Sequence, residues 1–192
     1  MNLFYELFYK KWVEGAFYSV PLIHFLFFID KLNSFPTIKF ITGYPITSRK
    51  TKKIQLIILH STGSDDISKA LTWMFNPNNY NSMHYIVSRE GDIIQLVDES
   101  NAALHVNSGK FNNSRLVNAS SIGVSIVGSS AYTESQYESL ALLCKYLKDK
   151  YQLNDSNIVS HASVLQTLST TNCLLGFDFN KLGNSLKLCE NM

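Results

Sequence analysis

Ile54-Gln55-Leu56-Ile57-Ile58-Leu59-His60 decides the fold. The run is almost continuously apolar and rich in β-branched side chains, the pattern of a strand buried on both faces of a sheet. His60 stands at its carboxyl end. Open α/β sheets take ligands beyond the carboxyl ends of their strands, so an imidazole there has a functional reading. Downstream, Ile67, Ala70, Leu71 and Met74 mark one face of a short helix within Asp65–Phe75, ended by Asn76-Pro77. Two extended runs, from His84 to Val87 and from Asp92 to Val97, flank Arg89-Glu90-Gly91 and predict a β-hairpin.

Residues 98–120 are rich in Asn and Ser and read as loop. Ile122 to Val127 reads as a further strand, in which Gly123 allows close backbone approach. Thr133 and Gln136 form a capping box for a long helix whose stripe is Tyr137, Leu140, Cys144, Leu147 and Tyr151. A turn at Asn154–Asn157 leads to the short extended piece Ile158-Val159, with His161 just after it. Strand, helix, hairpin, strand, helix, short strand predicts an α/β fold in one domain, with a mixed central β-sheet flanked by helices.

Upstream, the chain changes character. Residues 15–29 carry no formal charge and follow Lys10 and Lys11, which resembles the basic flank and apolar core of a signal peptide. Glu6 and Glu14 dilute that flank, and fifteen residues fall short of the ~20 a spanning helix needs. The readings are an uncleaved membrane-associated segment or a helix packed on the domain, with Pro21 kinking either one. Residues 1–35 are thus expected as an apolar segment and 36–192 as the domain. Pro36, Gly43, Pro45 and the cluster Arg49, Lys50, Lys52, Lys53 predict an irregular entry into it.

The 192 residues, 45% hydrophobic, suffice for one sizeable core. With 17 Lys+Arg against 15 Asp+Glu there is no strongly basic footprint, which argues against nucleic acid as the partner. Three cysteines, Cys144, Cys173 and Cys189, are too few and too far apart for a disulfide-stapled minidomain, and none forms a CxxC pair. Any metal therefore needs histidines. His24 lies in the apolar run, leaving His60, His84, His105 and His161. His60 and His161 both end extended segments, as expected if neighbouring strands project imidazoles into one cleft. A catalytic zinc typically takes three protein ligands and leaves one open position.

Four blocks carry a resemblance: IILHSTG at 57–63, ALTWMFNPNNYNSMHYIVSREGDIIQLVDESNAALHV at 70–106, SSIGVSIVGS at 120–129, and YTESQYESLALLCKYLKDKYQLNDSNIVSHASV at 132–164. In order, they resemble the zinc-dependent N-acetylmuramoyl-L-alanine amidases of type 2, relatives of phage lysozyme-type amidases and peptidoglycan recognition proteins. Gly176-Phe177-Asp178-Phe179 echoes the aromatic-Asp-aromatic sequence that often closes that domain. The resemblance implies zinc on His60 and His161, substrate-groove positions for His84 and His105, and cleavage of the amide between the lactyl group of N-acetylmuramic acid and L-alanine. It also implies peptidoglycan or muropeptide fragments as partners and, with residues 15–29, a periplasmic, secreted or membrane-associated location in preference to the cytoplasm.

The chain departs from the family pattern at defined places. Ser125 stands where many relatives have a glutamate thought to move protons, and a serine is no carboxylate base near neutral pH. The expected lysine and aspartate after the second histidine are missing from Leu165–Leu174. Counting places Thr171 or Asn172 at the third ligand, and neither binds zinc well. Cys173 is chemically better, and some branches of the family use cysteine there. Its alternatives are a third ligand or a buried thiol, and with them go an amidase or a catalytically inactive protein that binds muropeptides.

Overall fold

A computed structural model describes residues 27–32, 35–40, 46–49, 53–79, 81–106, 117–165 and 173–190. In chain order these form β1 (Phe27–Leu32), β2 (Phe35–Phe40), β3 (Ile46–Ser48), β4 (Leu56–Ser61), α1 (Ile67–Met74), β5 (Tyr85–Val87), β6 (Ile93–Gln95), β7 (Asn101–Ala103), β8 (Ser121–Ile126), α2 (Glu134–Tyr151), β9 (Ile158–Ser160), α3 (His161–Val164) and α4 (Phe179–Glu190). One seven-stranded mixed sheet runs β1-β2-β6-β5-β8-β4-β9, and β3 pairs with β7 beside it. β4 lies parallel between β8 and β9, and Leu56 to Leu59 are buried to 1% exposure or less, as the apolar run requires.

The two faces of this sheet differ. Ile57 and Leu59 of β4, Tyr85 and Val87 of β5, and Ile122, Val124 and Ile126 of β8 join the main core. α2 and α4 cover that face with Tyr137, Leu140, Cys144, Leu147, Leu182 and Leu186. By the two-residue period of a strand, Leu56, Ile58 and His60 point the other way, as do Ser121, Gly123 and Ser125. α1 lies on this second side, where Ala70, Leu71 and Met74 pack on Ile86, Ile94 and Leu96.

Local chemistry fixes the helices. Thr133 Oγ1 accepts the Gln136 N–H at 3.2 Å while Gln136 Oε1 accepts the Thr133 N–H at 3.0 Å, completing the predicted capping box. The same Gln136 side chain donates to the Val127 carbonyl at 2.7 Å, tying α2 to the chain leaving β8. Asp66 caps α1 through the N–H groups of Ser68 and Lys69. Glu99, 7% exposed, accepts the hydroxyls of both Tyr85 and Tyr151 and pairs with Lys150 at 3.0 Å, so its buried charge is compensated.

Three features depart from the sequence expectation. β1 and β2 form an antiparallel pair where an apolar segment and an irregular entry are expected, and β2 adds to the sheet beside β6. Pro36 is tolerated because pairing with β6 begins only at Thr37, so its missing N–H interrupts no bond on that side. Within the expected loop, β7 pairs with β3, a three-residue contact between distant segments that local propensity does not signal. α4 is unanticipated: Leu182 and Leu186 give it a buried stripe, but Gly183 weakens its helical pattern. Apart from Phe27–Ile29 in β1, the apolar run 15–29 lies outside the described residues, and no helix among those described is long and apolar enough to cross a membrane.

The core makes a measurable demand. Leu140 is fully buried between α2 and the sheet, so Leu140→Ala is expected to lower unfolding free energy by about 2–5 kcal/mol. Urea denaturation should show a lower midpoint with an unchanged slope.

Candidate metal centre and cleft

Parallel register builds the centre. Leu59 of β4 pairs with Ser160 of β9, and His60 pairs with Ser125 of β8. His161 follows Ser160 directly, so the chain delivers the second imidazole beside the first at the carboxyl edge of the sheet. Ser160 Oγ accepts the Ser163 N–H at 3.2 Å and starts α3 there, turning the backbone just where His161 must leave the strand. The His60 and His161 ring centroids lie 4.5 Å apart. Cys173 joins them: one ligand atom from each of His60, His161 and Cys173 lies within 4.8 Å of the others.

These residues open into a cleft of about 440 Å³, whose lining also includes Ser125, His105, Asn81, Met83, Trp73 and Lys69. The donor set suits zinc, since two imidazoles and a thiolate are its common protein ligands. Ligand atoms in a tetrahedral N, N, S site are roughly 3.3–3.8 Å apart for bonds of ~2.0–2.3 Å, so modest side-chain rotation brings the three into contact with one ion. His161 Nε2 is buried and has no hydrogen-bond partner among the described residues, and a metal would satisfy it. The residues present therefore fit the ion.

Electrostatics agree. Burial, and secondarily the neighbouring His161, holds His60 well below the usual histidine range. Burial also lowers His161. Both rings thus favour the neutral state that ligation requires. Burial pushes the Cys173 thiol up, opposed by hydrogen bonds from the backbone at Ser61 and His161. A divalent cation would favour its thiolate.

The other two histidines are placed differently. His105 is 3% exposed and reaches the cleft beneath His60, whose Nε2 lies 3.0 Å from His105 Nδ1. His84 is fully buried and is not among the residues lining the cleft. Its Nδ1 accepts the Gly123 N–H at 3.0 Å, and its Nε2 lies 3.1 Å from the Asn101 carbonyl and 2.9 Å from the Arg49 guanidinium. Burial, with Arg49 adding to it, lowers the pKa of His84 to about 3. Arg49 further donates to the carbonyls of Glu99, Ala119 and Ser121 at 2.7, 2.8 and 3.1 Å, and reaches that of Asn118 at 3.3 Å.

Sequence reasoning misses Asn81, Trp73, Lys69 and Arg49. Trp73 carries a readable signal, a large aromatic on the polar side of α1 that stays 52% exposed. Asn81 does not, because only the formed cleft buries its Oδ1 without a partner among the described residues. Thr171 and Asn172, the positions reached by counting, lie outside the described residues.

A family model described as N-acetylmuramoyl-L-alanine amidase matches residues 50–174, well over half of the chain. The chain belongs to this amidase family. Among curated relatives of this amidase-family chain, the 1,6-anhydro-N-acetylmuramyl-L-alanine amidase AmpD of Escherichia coli (strain K12) is 31% identical over 85 residues, 43% of this chain and 46% of that protein. AmpD of Citrobacter freundii is 29% identical over the same length. The chain spans about half the length of the curated relatives it matches. In three dimensions it resembles the crystal structure of a selenomethionine AmpD derivative, with a TM-score of 0.66 at 18% identity, covering 83% of this chain and 99% of that one. It also resembles AmiD from Escherichia coli in complex with the substrate anhydro-N-acetylmuramic acid-L-Ala-D-γ-Glu-L-Lys, with a TM-score of 0.60 at 20% identity, covering 75% and 60%. The mixed sheet flanked by helices is the amidase fold.

His84 gives this amidase-family fold a pH dependence. Its folded pKa is depressed, so the stability its neutral ring contributes is fully present above about 6.5 and is lost as the pH falls towards about 3, because the unfolded chain takes up the proton first. In chelator, His84→Gln should be less stable than wild type above about pH 6.5, where the histidine is neutral in both states. Its stability should also fall less steeply across that window, by up to about 1.4 kcal/mol per pH unit. Urea titrations at stepped pH measure both, and parallel curves would contradict the assignment.

Proposed function

We propose that this chain is a zinc amidase that cleaves the bond between the lactyl group of N-acetylmuramic acid and L-alanine in peptidoglycan fragments. The observation that carries this reading is the convergence of His60, His161 and Cys173 within 4.8 Å at the cleft. Family membership and the substrates named for AmpD and AmiD support the choice of bond.

His60, His161 and Cys173 would hold the ion. When bound, zinc supplies a Lewis acid for the scissile carbonyl and lowers the pKa of water. The rest falls to the chain's own groups. Asn81 Oδ1 and Ser125 Oγ are buried, lack partners among the described residues and line the same cleft, so each offers a hydrogen bond to an entering amide. Trp73 and Met83 give the cleft apolar wall against which a sugar ring or an alanine methyl packs, and exclude water from it. Lys69 at the exposed side of α1 brings a positive charge towards stem-peptide carboxylates.

Ser125 sets the rate. It occupies the register position beside His60 where many relatives have a proton-moving glutamate. Loss of a positioned acid or base costs ~10²- to 10⁴-fold, which slows hydrolysis without abolishing it. This same residue favours a second reading, muropeptide binding without turnover.

Purified protein with zinc supplied should contain about one zinc per chain and release free stem peptide from a purified muropeptide, followed by mass spectrometry. Cys173→Ala should lose the metal and the release together. Ser125→Glu should raise the rate by ~10²- to 10⁴-fold. Release by neither the wild type nor Ser125→Glu, with muropeptide still bound, selects the binding reading. Absence of zinc from wild-type protein overturns the metal centre.

A further inference from the structure

His105 sits on a chain of buried polar contacts that the reaction above leaves unused. The Ser121 hydroxyl donates its single proton to the Val117 carbonyl at 2.6 Å, so it faces His105 Nε2, 3.1 Å away, as an acceptor. His105 must therefore carry its proton on Nε2. A neutral imidazole has only one, which leaves His105 Nδ1 as a lone pair. The group opposite that lone pair is His60 Nε2, at 3.0 Å, so it is the donor. The rings cross at 82°, edge towards edge, as an N–H···N bond permits.

Counting protons along this chain leaves one nitrogen of His60 unprotonated, Nδ1. We propose that His105 is a positioning residue for the metal centre: by accepting the His60 Nε2–H it holds that ring in one tautomer and one orientation, with Nδ1 as the zinc donor. The inference rests on the metal reading above and adds to it the donor atom and the residue that selects it. Partners of this kind typically contribute 10- to 100-fold in metal affinity.

β8 is shaped for this arrangement. A Cβ on Gly123 would lie 2.6 Å from the His105 ring, so only glycine lets the imidazole lie flat on the strand. Ser121, two residues earlier on the same face, supplies the acceptor. In Ser121-Ile122-Gly123 one small polar residue orients the ring and the absence of a side chain makes room for it.

Zinc and cobalt(II) titrations of the full chain test the proposal, with the cobalt absorption spectrum as a readout independent of turnover. His105→Leu should bind zinc 10- to 100-fold more weakly and shift the cobalt spectrum. His105→Asn places an amide oxygen near the position of Nδ1 and should recover most of both. Long-range ¹H–¹⁵N correlations of zinc-loaded wild type, which need no variant to fold, should show His60 protonated at Nε2 and metal-bound through Nδ1. Metal-bound Nε2, or equal affinity in His105→Leu and wild type, overturns the role of His105 while leaving the metal centre intact. Wild type without metal affinity removes the metal centre itself.

Discussion

The parallel pairing of β9, β4 and β8 is the constraint from which the centre follows. It aligns three strand ends so that His161, His60 and Ser125 emerge at one edge of the sheet. A slip of one residue between β4 and its neighbours would send His60 to the opposite face from its partners, because strand side chains alternate. The register is protected by the apolar set it buries. Ile57 and Leu59 of β4 and Ile122, Val124 and Ile126 of β8 are all at 0% exposure against α2 and α4. Hydrophobic burial on one face thus fixes the position of imidazoles on the other.

That division of labour explains the composition of β8. Its core face carries three branched apolar residues, while its other face carries Ser121, Gly123 and Ser125. Large side chains on the second face would fill the volume that His105 occupies. His84 then closes the layer from beneath, since its Nδ1 takes the Gly123 N–H. A polar stratum this deep is tolerable because most of its groups find partners, and Ser125 Oγ and His161 Nε2, which have none among the described residues, both line the cleft.

Much of this was legible in the sequence. The buried-strand pattern of Ile54–Leu59 and the capping box at Thr133 locate β4 and α2, and histidines at two strand ends give His60 and His161. Chemistry, more than register, singles out Cys173, because spacing from His161 in the sequence does not by itself fix where the thiol arrives. The β1–β2 pair was hidden by Pro36, whose effect depends on which neighbour it faces. The placement of His105 against His60 depends on a contact across the sheet over Gly123, and no local periodicity carries such information. His84 reads as a groove residue by resemblance, whereas the structure encloses it among Arg49, Asn101 and Gly123.

Arg49 bears on where the folding unit begins. Similarity to the family starts at residue 50, yet the guanidinium immediately before it gathers carbonyls from Glu99, Asn118, Ala119 and Ser121 into one knot. A fragment trimmed to the matched region would leave those oxygens competing for water at the foot of β8. The boundary set by shared ancestry therefore falls inside the boundary set by mechanics, and the residue just outside the match works as a rivet for what lies within it.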